Sequence, residues 1–236
     1  MMAHTGGVST QNSAERSADD EHDQHDSLVE DGQAAEAVDS HVAAGGSGRE
    51  YAVLAVITGV LGLLAAIELM LDYLRITADP DYVPACDLNP LIGCGQFLES
   101  WQSSAFGIPN TIIGMAAFPV VLATGMMLFG RARLPRWYWR GLLAGATFGI
   151  GFVTWLQYQA ITQIGALCPY CLVVWLVVIP FFVHTVARSM QNGALPVPAG
   201  LRDFVVPNRW LLTVIWYLAV IAAAAFGLGD AWLVLF

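Results

Sequence analysis

The sequence predicts an all-α polytopic membrane protein, and three observations support this fold class. Of the 236 residues, 56% are hydrophobic and only 12% are charged, whereas soluble domains carry about 25% charged residues. Five segments reach or approach the roughly 20 apolar residues that a helix needs to cross a bilayer. Each of these segments lacks charge through its middle. We therefore expect a five-helix transmembrane domain over residues 51–236.

Residues 1–50 differ from this domain, and we expect them to form a disordered acidic tail. Residues 1–48 contain ten acidic residues, a single arginine and four of the five histidines, at irregular spacing. A stretch with so few large apolar side chains cannot offset the entropy lost on ordering. Residues 49–236 carry nine charges of each sign. This neutral balance argues against a nucleic-acid partner.

The five apolar segments predict the helices in order. No basic region precedes the first segment, which is also too long for a cleaved signal peptide, so we expect a retained membrane helix. Short loops rich in arginine mark the cytoplasmic side. The loop between the second and third segments has this character, which places the N-terminal tail inside and the loop 75–108 outside. The segments cover residues 51–74, 109–130, 139–161, 168–187 and 210–236, and the arginines are Arg131, Arg133, Arg136 and Arg140.

The outer loop, residues 75–108, carries two of the four cysteines. Prolines punctuate its start, and seven residues separate Cys86 from Cys94. Apolar residues then recur at positions i, i+1, i+4 and i+8 with polar residues between them, which predicts a short amphipathic half-helix capping the membrane domain. These apolar residues are Phe97, Leu98, Trp101 and Ala105.

Three glycines recur at four-residue spacing in the third segment, at Gly141, Gly145 and Gly149. Small residues at this spacing let membrane helices approach closely. We therefore expect helix packing at these glycines rather than a ligand site.

The other two cysteines open the fourth segment as Cys168-Pro169-Tyr170-Cys171. With Cys168 as the N-cap, Pro169 occupies the first helical position, where its missing N–H does no harm. Cys171 then occupies the third helical position, where unpaired N–H groups and the positive helix end favour a thiolate. All four cysteines lie on the predicted outer face, where disulfides persist, so a redox-active pair is favoured. Two inert disulfides remain an alternative, as does a zinc site, although the spacing of the first pair departs from that of zinc knuckles.

Thiol exchange only moves electrons between sulfur atoms, so a final acceptor is required. Trp175 follows Cys171 by four residues on the same helical face as Val174, and its ring can stack on a flat molecule. Asn110, at the outer end of the second segment, can hydrogen-bond a carbonyl oxygen. A lipid-soluble quinone fits both residues, with ordinary packing of Trp175 and N-capping by Asn110 as alternatives.

Two carboxylates lie in the outer part of the first segment. Membrane carboxylates are commonly functional, and Glu68 and Asp72 could pass protons to a reduced quinone. For Asp72 we favour an ion pair with Arg75, three residues further on. The role of Glu68 stays open.

These motifs, in this order, resemble the vitamin K epoxide reductase family in its bacterial form. The resemblance covers about residues 51–230 and implies a four-helix transmembrane bundle around a quinone, with the fifth transmembrane helix outside the bundle. The residues that carry it are Cys86-x₇-Cys94, Ser100, Phe106-Gly107, Asn110 and Cys168-Pro-Tyr-Cys171.

The resemblance also implies a role for each motif residue. Cys86 would exchange with the thiols of a partner, Cys94 would attack Cys168, and Cys171 would reduce the quinone. The other expected cofactor-site residues are Asn110, on the quinone carbonyl; Trp175, where some members have tyrosine; Ser100, which holds the cap; and Phe106.

The implied activity is that of a quinone-dependent thiol-disulfide oxidoreductase of the inner or plasma membrane. It would reoxidise a secreted thioredoxin-fold oxidase and pass the electrons to a quinone of the menaquinone or ubiquinone type. Because the chain stops at Phe236 without a fused thioredoxin-like domain, we expect a separate partner. One alternative is a vitamin K epoxide or quinone reductase whose main product is the reduced lipid. Another is a non-catalytic membrane scaffold with structural disulfides.

Overall fold

Helices account for the architecture of the protein. A computed structural model describes residues 40–79 and 81–229, and no β-strand occurs in that part of the chain. The predicted all-α class is therefore confirmed. The long helices are α1 (Arg49–Ala78), α3 (Asn110–Phe129), α4 (Arg136–Gln159), α5 (Pro169–Gln191) and α7 (Arg209–Gly227), and the short ones are α2 (Gly95–Leu98) and α6 (Ala199–Val205).

The long helices make this a multi-pass membrane protein. Four of those described, α1, α3, α5 and α7, are long and apolar enough to cross a membrane. The predicted third segment corresponds to α4, whose 24 residues extend about 36 Å. Its glycine, threonine and glutamine residues make α4 less apolar than the other four. The last predicted segment ends earlier than expected, because α7 stops at Gly227, and residues 230–236 lie outside the described part.

Four helices form a bundle, and the fifth packs on its outside. Helix α1 packs along α3 and α5, while α5 also contacts α4 and α7. The closest approach joins α1 and α3, since a Cβ at Gly59 would lie 2.6 Å from the backbone of Leu122. Helix α7 is the most exposed of the candidate membrane spans. This arrangement agrees with the predicted four-helix bundle and additional outer helix.

The glycine pattern of α4 does not pack against another helix of the described part of the chain. A Cβ added at Gly141, Gly145 or Gly149 would meet no atom of residues 40–79 or 81–229 within 4 Å. All three glycines line a cavity instead. The prediction of helix packing at these positions was wrong, because four-residue spacing marks a smooth helix face without saying what the face contacts.

The N-terminal segment, residues 40–48, lies against the helix ends opposite the cysteines. The buried Arg188 side chain donates from Nε to the carbonyl oxygen of Gly46 over 2.8 Å. Gly45 accepts hydrogen bonds at its carbonyl oxygen from Trp139 Nε1 and from the backbone N–H of Leu134, both at 3.1 Å. Ordered contacts thus begin before the first predicted helix. The predicted disorder of residues 1–50 is therefore wrong for residues 40–50, and residues 1–39 fall outside the described residues.

An ion pair attaches α7 to the start of α1. Arg209 Nη2 lies 2.6 Å from a carboxylate oxygen of Glu50. The indole N–H of Trp210 donates to the other oxygen of the same carboxylate, also over 2.6 Å. The edge of the buried His184 ring of α5 packs on Trp210, with centroids 4.5 Å apart. The outer helix is therefore anchored to both α1 and α5 at this end.

The loop after α1 forms the predicted cap, but its half-helix is broken into two pieces. Helix α2 is followed by a separate 3₁₀ turn at Trp101–Ser104, and Ser100 between them is extended. Phe97 and Leu98 are buried, whereas Trp101 is 67% exposed. The predicted apolar stripe therefore faces the protein only in its first part.

Candidate redox site

The two cysteines of the cap form a disulfide, Cys86–Cys94. The carboxylate of Asp87 holds the turn between them, since its Oδ1 accepts the backbone N–H groups of Cys94 and Gly95 at 2.5 and 2.9 Å. Hydrogen bonds to an ionised acceptor are about twice as strong as neutral ones. Asp87 thus positions Cys94 directly, a role that our reading of the sequence missed.

Backbone pairing brings this loop to the start of α5. The N–H of Leu167 donates to the carbonyl oxygen of Leu91 over 2.8 Å, and the N–H of Gly93 donates to the carbonyl oxygen of Leu167 over 3.2 Å. Through this pairing, Cys94 Sγ lies 3.4 Å from Cys168 Sγ. The two cysteine pairs, 74 positions apart at this contact, therefore meet at one point.

A tight reversal between α4 and α5 makes this meeting possible. Helix α4 ends in a π-helical turn, Ala160–Ile164, and Gly165 follows with φ 71°. This left-handed conformation suits glycine, and the N–H of Gly165 closes the turn on the carbonyl oxygen of Ala160 at 2.9 Å. Only a few residues then remain before Cys168, which lies at the same end of the bundle as the cap.

Cys168 caps α5 with its own side chain, as the sequence predicted. Its sulfur accepts the backbone N–H of Cys171 at 3.4 Å, and Pro169 takes the first turn of the helix. The pKa of the Cys168 thiol lies below its ordinary value, chiefly because the Cys171 side chain donates a hydrogen bond to it. Donors from the backbone of Cys171 and Tyr170 act in the same direction, against the effect of burial. Cys168, rather than Cys171 as predicted, is therefore the residue at which this helix start favours a thiolate.

A cavity of about 500 Å³ lies directly behind this pair, between the bundle helices and the cap. Cys171, Val174 and Trp175 of α5 form part of its wall, as does Asn110 at the start of α3. The predicted inward face of α5 and the predicted polar residue therefore share one cavity. Its other walls include Phe118 of α3, the three glycines of α4 and the cap residues Phe97, Leu98 and Ser103.

Asn110 can meet a polar ligand in this cavity. Its Nδ2 donates to the carbonyl oxygen of Gln102 at 2.6 Å, and its Oδ1 is buried without a hydrogen-bond partner among the described residues. Because an amide carries two N–H groups and one acceptor, one N–H and the oxygen remain for a ligand. The alternative role as N-cap of α3 was wrong, because Pro109 takes that position.

Two predicted cofactor-site residues lie outside the cavity wall. Ser100 donates from its hydroxyl to the carbonyl oxygen of Phe97 at 2.6 Å, within the cap. The Phe106 ring is 56% exposed and packs on Phe152 of α4 at 5.2 Å between centroids. Ser100 therefore stabilises the cap and Phe106 packs against α4, and neither side chain lines the cavity. Phe97 and Leu98 line the cavity instead, and their place on the apolar stripe could have indicated this.

The carboxylates of α1 occupy different surroundings. Asp72 pairs with Arg75 at 3.3 Å, as predicted. It also accepts from the hydroxyl of Tyr82 at 3.0 Å and lies 3.6 Å from Cys86 Sγ. Glu68 is exposed on the surface of α1. The contact between Asp72 and Cys86 joins residues 14 positions apart, which no local pattern indicates.

One group in the described part of the chain has the composition of a metal site. Ligand atoms of Cys86, Asp87 and Cys94 lie within 4.8 Å of one another. The two sulfur atoms are bonded to each other, whereas zinc takes thiolates. In this oxidised state the group therefore lacks the ligands that zinc requires.

Comparison with known proteins bears on the bundle and on all four cysteines. No solved structure matches the chain. The model of the vitamin K epoxide reductase family matches residues 53–186, which run from the start of α1 into the last turns of α5. This match covers more than half of the chain, including the cap, both cysteine pairs and every bundle helix. The chain belongs to the vitamin K epoxide reductase family.

Proposed function

We propose that the protein is a quinone-dependent thiol oxidase that reoxidises a separate, secreted thioredoxin-fold protein. Electrons would enter at Cys86 and Cys94, pass to Cys168 and Cys171, and leave to a membrane quinone of the menaquinone or ubiquinone type. Membership of an oxidoreductase family with quinone-linked disulfide chemistry supports the general class. The direction and the partner are our inference from the arrangement of the thiols.

The observation that carries this proposal is the contact between the two cysteine pairs. Cys94 Sγ and Cys168 Sγ are 3.4 Å apart, close to the distance at which a thiolate attacks a disulfide in line. Cys168 and Cys171 are reduced while Cys86 and Cys94 are bonded. In the proposed cycle, this is the state in which the electrons have already reached the inner pair.

Each transfer in the cycle is a thiol–disulfide exchange. A partner dithiol opens the Cys86–Cys94 bond and becomes a disulfide itself. The Cys94 thiolate then attacks Cys168 in an oxidised Cys168–Cys171 pair, which releases Cys171 as a thiolate. Attack of Cys86 on Cys94 restores the outer disulfide and releases Cys168, so two electrons have moved inward.

The residues of the cavity fit a quinone. Trp175 and Phe118 supply apolar ring faces, Asn110 supplies hydrogen-bonding groups, and the volume of about 500 Å³ lies in the usual range of small-molecule sites. A bound quinone would accept two electrons and two protons as the Cys168–Cys171 disulfide re-forms. The chain's own contribution is to hold the Cys171 thiol at the wall of a cavity that the cap residues Phe97 and Leu98 also line.

We place the oxidoreductase unit in residues 51–236, with the redox loop 75–108 on the extracytoplasmic side of the inner or plasma membrane. The arginine-rich turn between α3 and α4 follows the cytoplasmic pattern, and the chain order sets it at the end of the bundle opposite the cysteines. The acidic tail would then be cytoplasmic.

The test is turnover in membrane nanodiscs with a short-chain quinone and a reduced thioredoxin-fold dithiol protein. Cys171→Ala should abolish quinone reduction while disulfide exchange at the other three cysteines continues, which non-reducing peptide mapping would detect as a Cys94–Cys168 bond. Val174→Ala, on the same cavity wall, is the matched control and should retain turnover. Full quinone-linked turnover by Cys171→Ala would refute the relay.

The same samples separate the proposal from its alternatives. Inert structural disulfides would keep one pairing with or without quinone, whereas the relay requires the pairing to change. Replacing the quinone by vitamin K epoxide, with a chemical reductant, identifies an epoxide reductase by consumption of the epoxide. A thiol oxidase should instead stop when the quinone is withheld.

A further inference from the structure

The ion pair with Arg75 does not account for all the contacts of Asp72. The Asp72 side chain is buried, at 4% exposure, beside Cys86 at 7%. Oδ1 takes both Arg75 Nη1 at 3.3 Å and the Tyr82 hydroxyl at 3.0 Å. Oδ2 faces Cys86 Sγ at 3.6 Å, and no other donor to Oδ2 occurs among the described residues.

This geometry is suited to an S–H donor. While Cys86 is in the disulfide, its sulfur has no proton and the contact with Asp72 is a simple approach of two atoms. Once the disulfide is opened, a protonated Cys86 can donate its S–H to Oδ2, since a separation of 3.6 Å is within reach of a sulfur donor. A Cys86 thiolate would instead place two negative groups side by side in a buried site, which is unfavourable.

We infer that Asp72 is a catalytic residue that keeps the proton on Cys86 and so leaves the thiolate on Cys94. The inference rests on the proposed function and assigns the direction of its outer step. Cys94 is the sulfur that lies 3.4 Å from Cys168. A protonated Cys86 is a poor nucleophile, so the outer pair attacks inward through Cys94 rather than back toward the partner through Cys86.

The protons and electrons of the step balance. A partner dithiol and the Cys86–Cys94 disulfide give a partner disulfide, a Cys86 thiol, a Cys94 thiolate and one proton released to water. After Cys94 has bonded to Cys168, Cys86 attacks Cys94 and gives its proton to Asp72. That proton then leaves Asp72 by way of the Tyr82 hydroxyl, on the side where Arg75 is half-exposed to solvent. In the same exchange, Cys168 is released as a thiolate.

Asp72 is the carboxylate that contacts Cys86, but other charged or titratable groups surround them. The side chain of Arg75 is 53% exposed, so solvent screens much of its charge. The Asp87 carboxylate lies within 4.8 Å of the sulfur atoms of both Cys86 and Cys94, and its Oδ1 accepts two backbone N–H groups. The groups around Asp72 and Cys86 are Arg75 on α1, Tyr82, Asp87 and Cys94 in the cap, and Tyr170 on α5, which also interacts with the charge of Glu68.

The test is site-resolved alkylation of the fully reduced, full-length protein. Iodoacetamide pulses between pH 6 and 9, followed by peptide mass spectrometry, report Cys86 and Cys94 in the same sample. Asp72→Asn removes the charge and nearly preserves the shape. We expect Cys86 to be alkylated about tenfold faster at pH 7, which corresponds to a shift of its rate profile by about one pH unit toward lower pH. The alkylation rate of Cys94 should change less than twofold.

Two further variants keep the inference open to refutation. Asp81→Asn removes an exposed carboxylate from the same loop and should leave the Cys86 rate within twofold. Arg75→Gln strengthens the field of Asp72 and should slow Cys86 two- to threefold. An unchanged Cys86 rate in Asp72→Asn, or an equal gain in Asp81→Asn, overturns the inference. If Asp72→Asn does not fold, the inference is overturned when the alkylation rate of Cys86 in Arg75→Gln is equal to or faster than that of the parent.

These readouts need neither quinone nor partner. A negative alkylation result therefore removes the role of Asp72 and leaves the relay intact. The relay itself is refuted by a different result, full quinone-linked turnover in Cys171→Ala.

Discussion

Alanine substitutions at two glycines distinguish a helix contact from a cavity wall. At Gly59 of α1, an added Cβ would lie 2.6 Å from the Cα of Leu122 on α3, whereas contacting carbon atoms sit about 3.5–4.0 Å apart. The two helices would have to separate, and overpacking of this kind costs about 1–3 kcal/mol. Gly59→Ala should therefore destabilise the protein.

The same substitution at Gly145 of α4 should have the opposite sign. No atom of the described residues lies within 4 Å of an added Cβ there, and alanine is favoured over glycine inside a helix by about 0.5–1 kcal/mol. The gain from replacing a helical glycine is common to both positions, so the two variants should differ by the overpacking cost of about 1–3 kcal/mol in the free energy of unfolding. At about 2–4 °C per kcal/mol for a protein of this size, their melting temperatures should differ by about 2–12 °C.

Thermal unfolding in one detergent, followed by tryptophan fluorescence, measures both variants against the parent. A third variant, Gly145→Leu, extends a side chain into the cavity that Cys171 and Trp175 also line. It should lower quinone-linked turnover at least tenfold without lowering the melting temperature, while Gly145→Ala retains turnover. If Gly145→Ala melts as low as Gly59→Ala, a helix contacts this face of α4 and the cavity assignment is wrong.

Three further predictions follow from the polar contacts. Asp87→Asn weakens two charge-assisted hydrogen bonds that hold Cys94, so formation of the mixed disulfide with Cys168 should slow about tenfold in quenched-flow mapping, an expected loss of about 1.4 kcal/mol. Cys171→Ala removes the main donor that lowers the pKa of Cys168, so alkylation of Cys168 should begin at higher pH. The pKa of Cys168 is lower in the folded protein than in the unfolded chain, so between these two pKa values the unfolded chain binds more protons. As the pH rises through this interval, the free energy of unfolding of the reduced parent should increase, and Cys171→Ala should lose this increase. Arg188→Gln removes the donor to the N-terminal segment, so limited proteolysis there should accelerate at least tenfold, whereas a rate equal to the parent's would contradict the docking.

Helix number and helix position were predictable because the relevant signal is local. Long apolar runs in a bilayer must satisfy their backbone hydrogen bonds internally, so each run had one structural outcome. The N-cap role of Cys168 was predictable for the same reason, since Pro169 and the free N–H groups of the first turn act within a few residues. The bounds of α7 and the break in the cap at Ser100 were harder to predict from the sequence, because tertiary contacts decide where helices end.

The site was only partly predictable. Trp175 and Asn110 were found because one helical face and one polar residue among apolar ones are visible in a single segment. The contact of Asp72 with Cys86 and the Asp87 bonds to the turn were missed, since each depends on how the cap folds back. The α4 glycines were misassigned because a stripe of small residues is equally compatible with a close neighbour and with open space.

The sequence by itself determined the membrane class, the four thiols and the motif order that marks the family. Each of these depends on residue type and short spacing. Only the tertiary structure decided that the α4 glycines border a cavity and that Asp72 lies against Cys86, and it alone shows the contact of Cys94 with Cys168 that the family resemblance had implied. The physical reason is the same in each case: backbone pairing between the cap and Leu167, and packing among four helices, bring together atoms that are far apart along the chain.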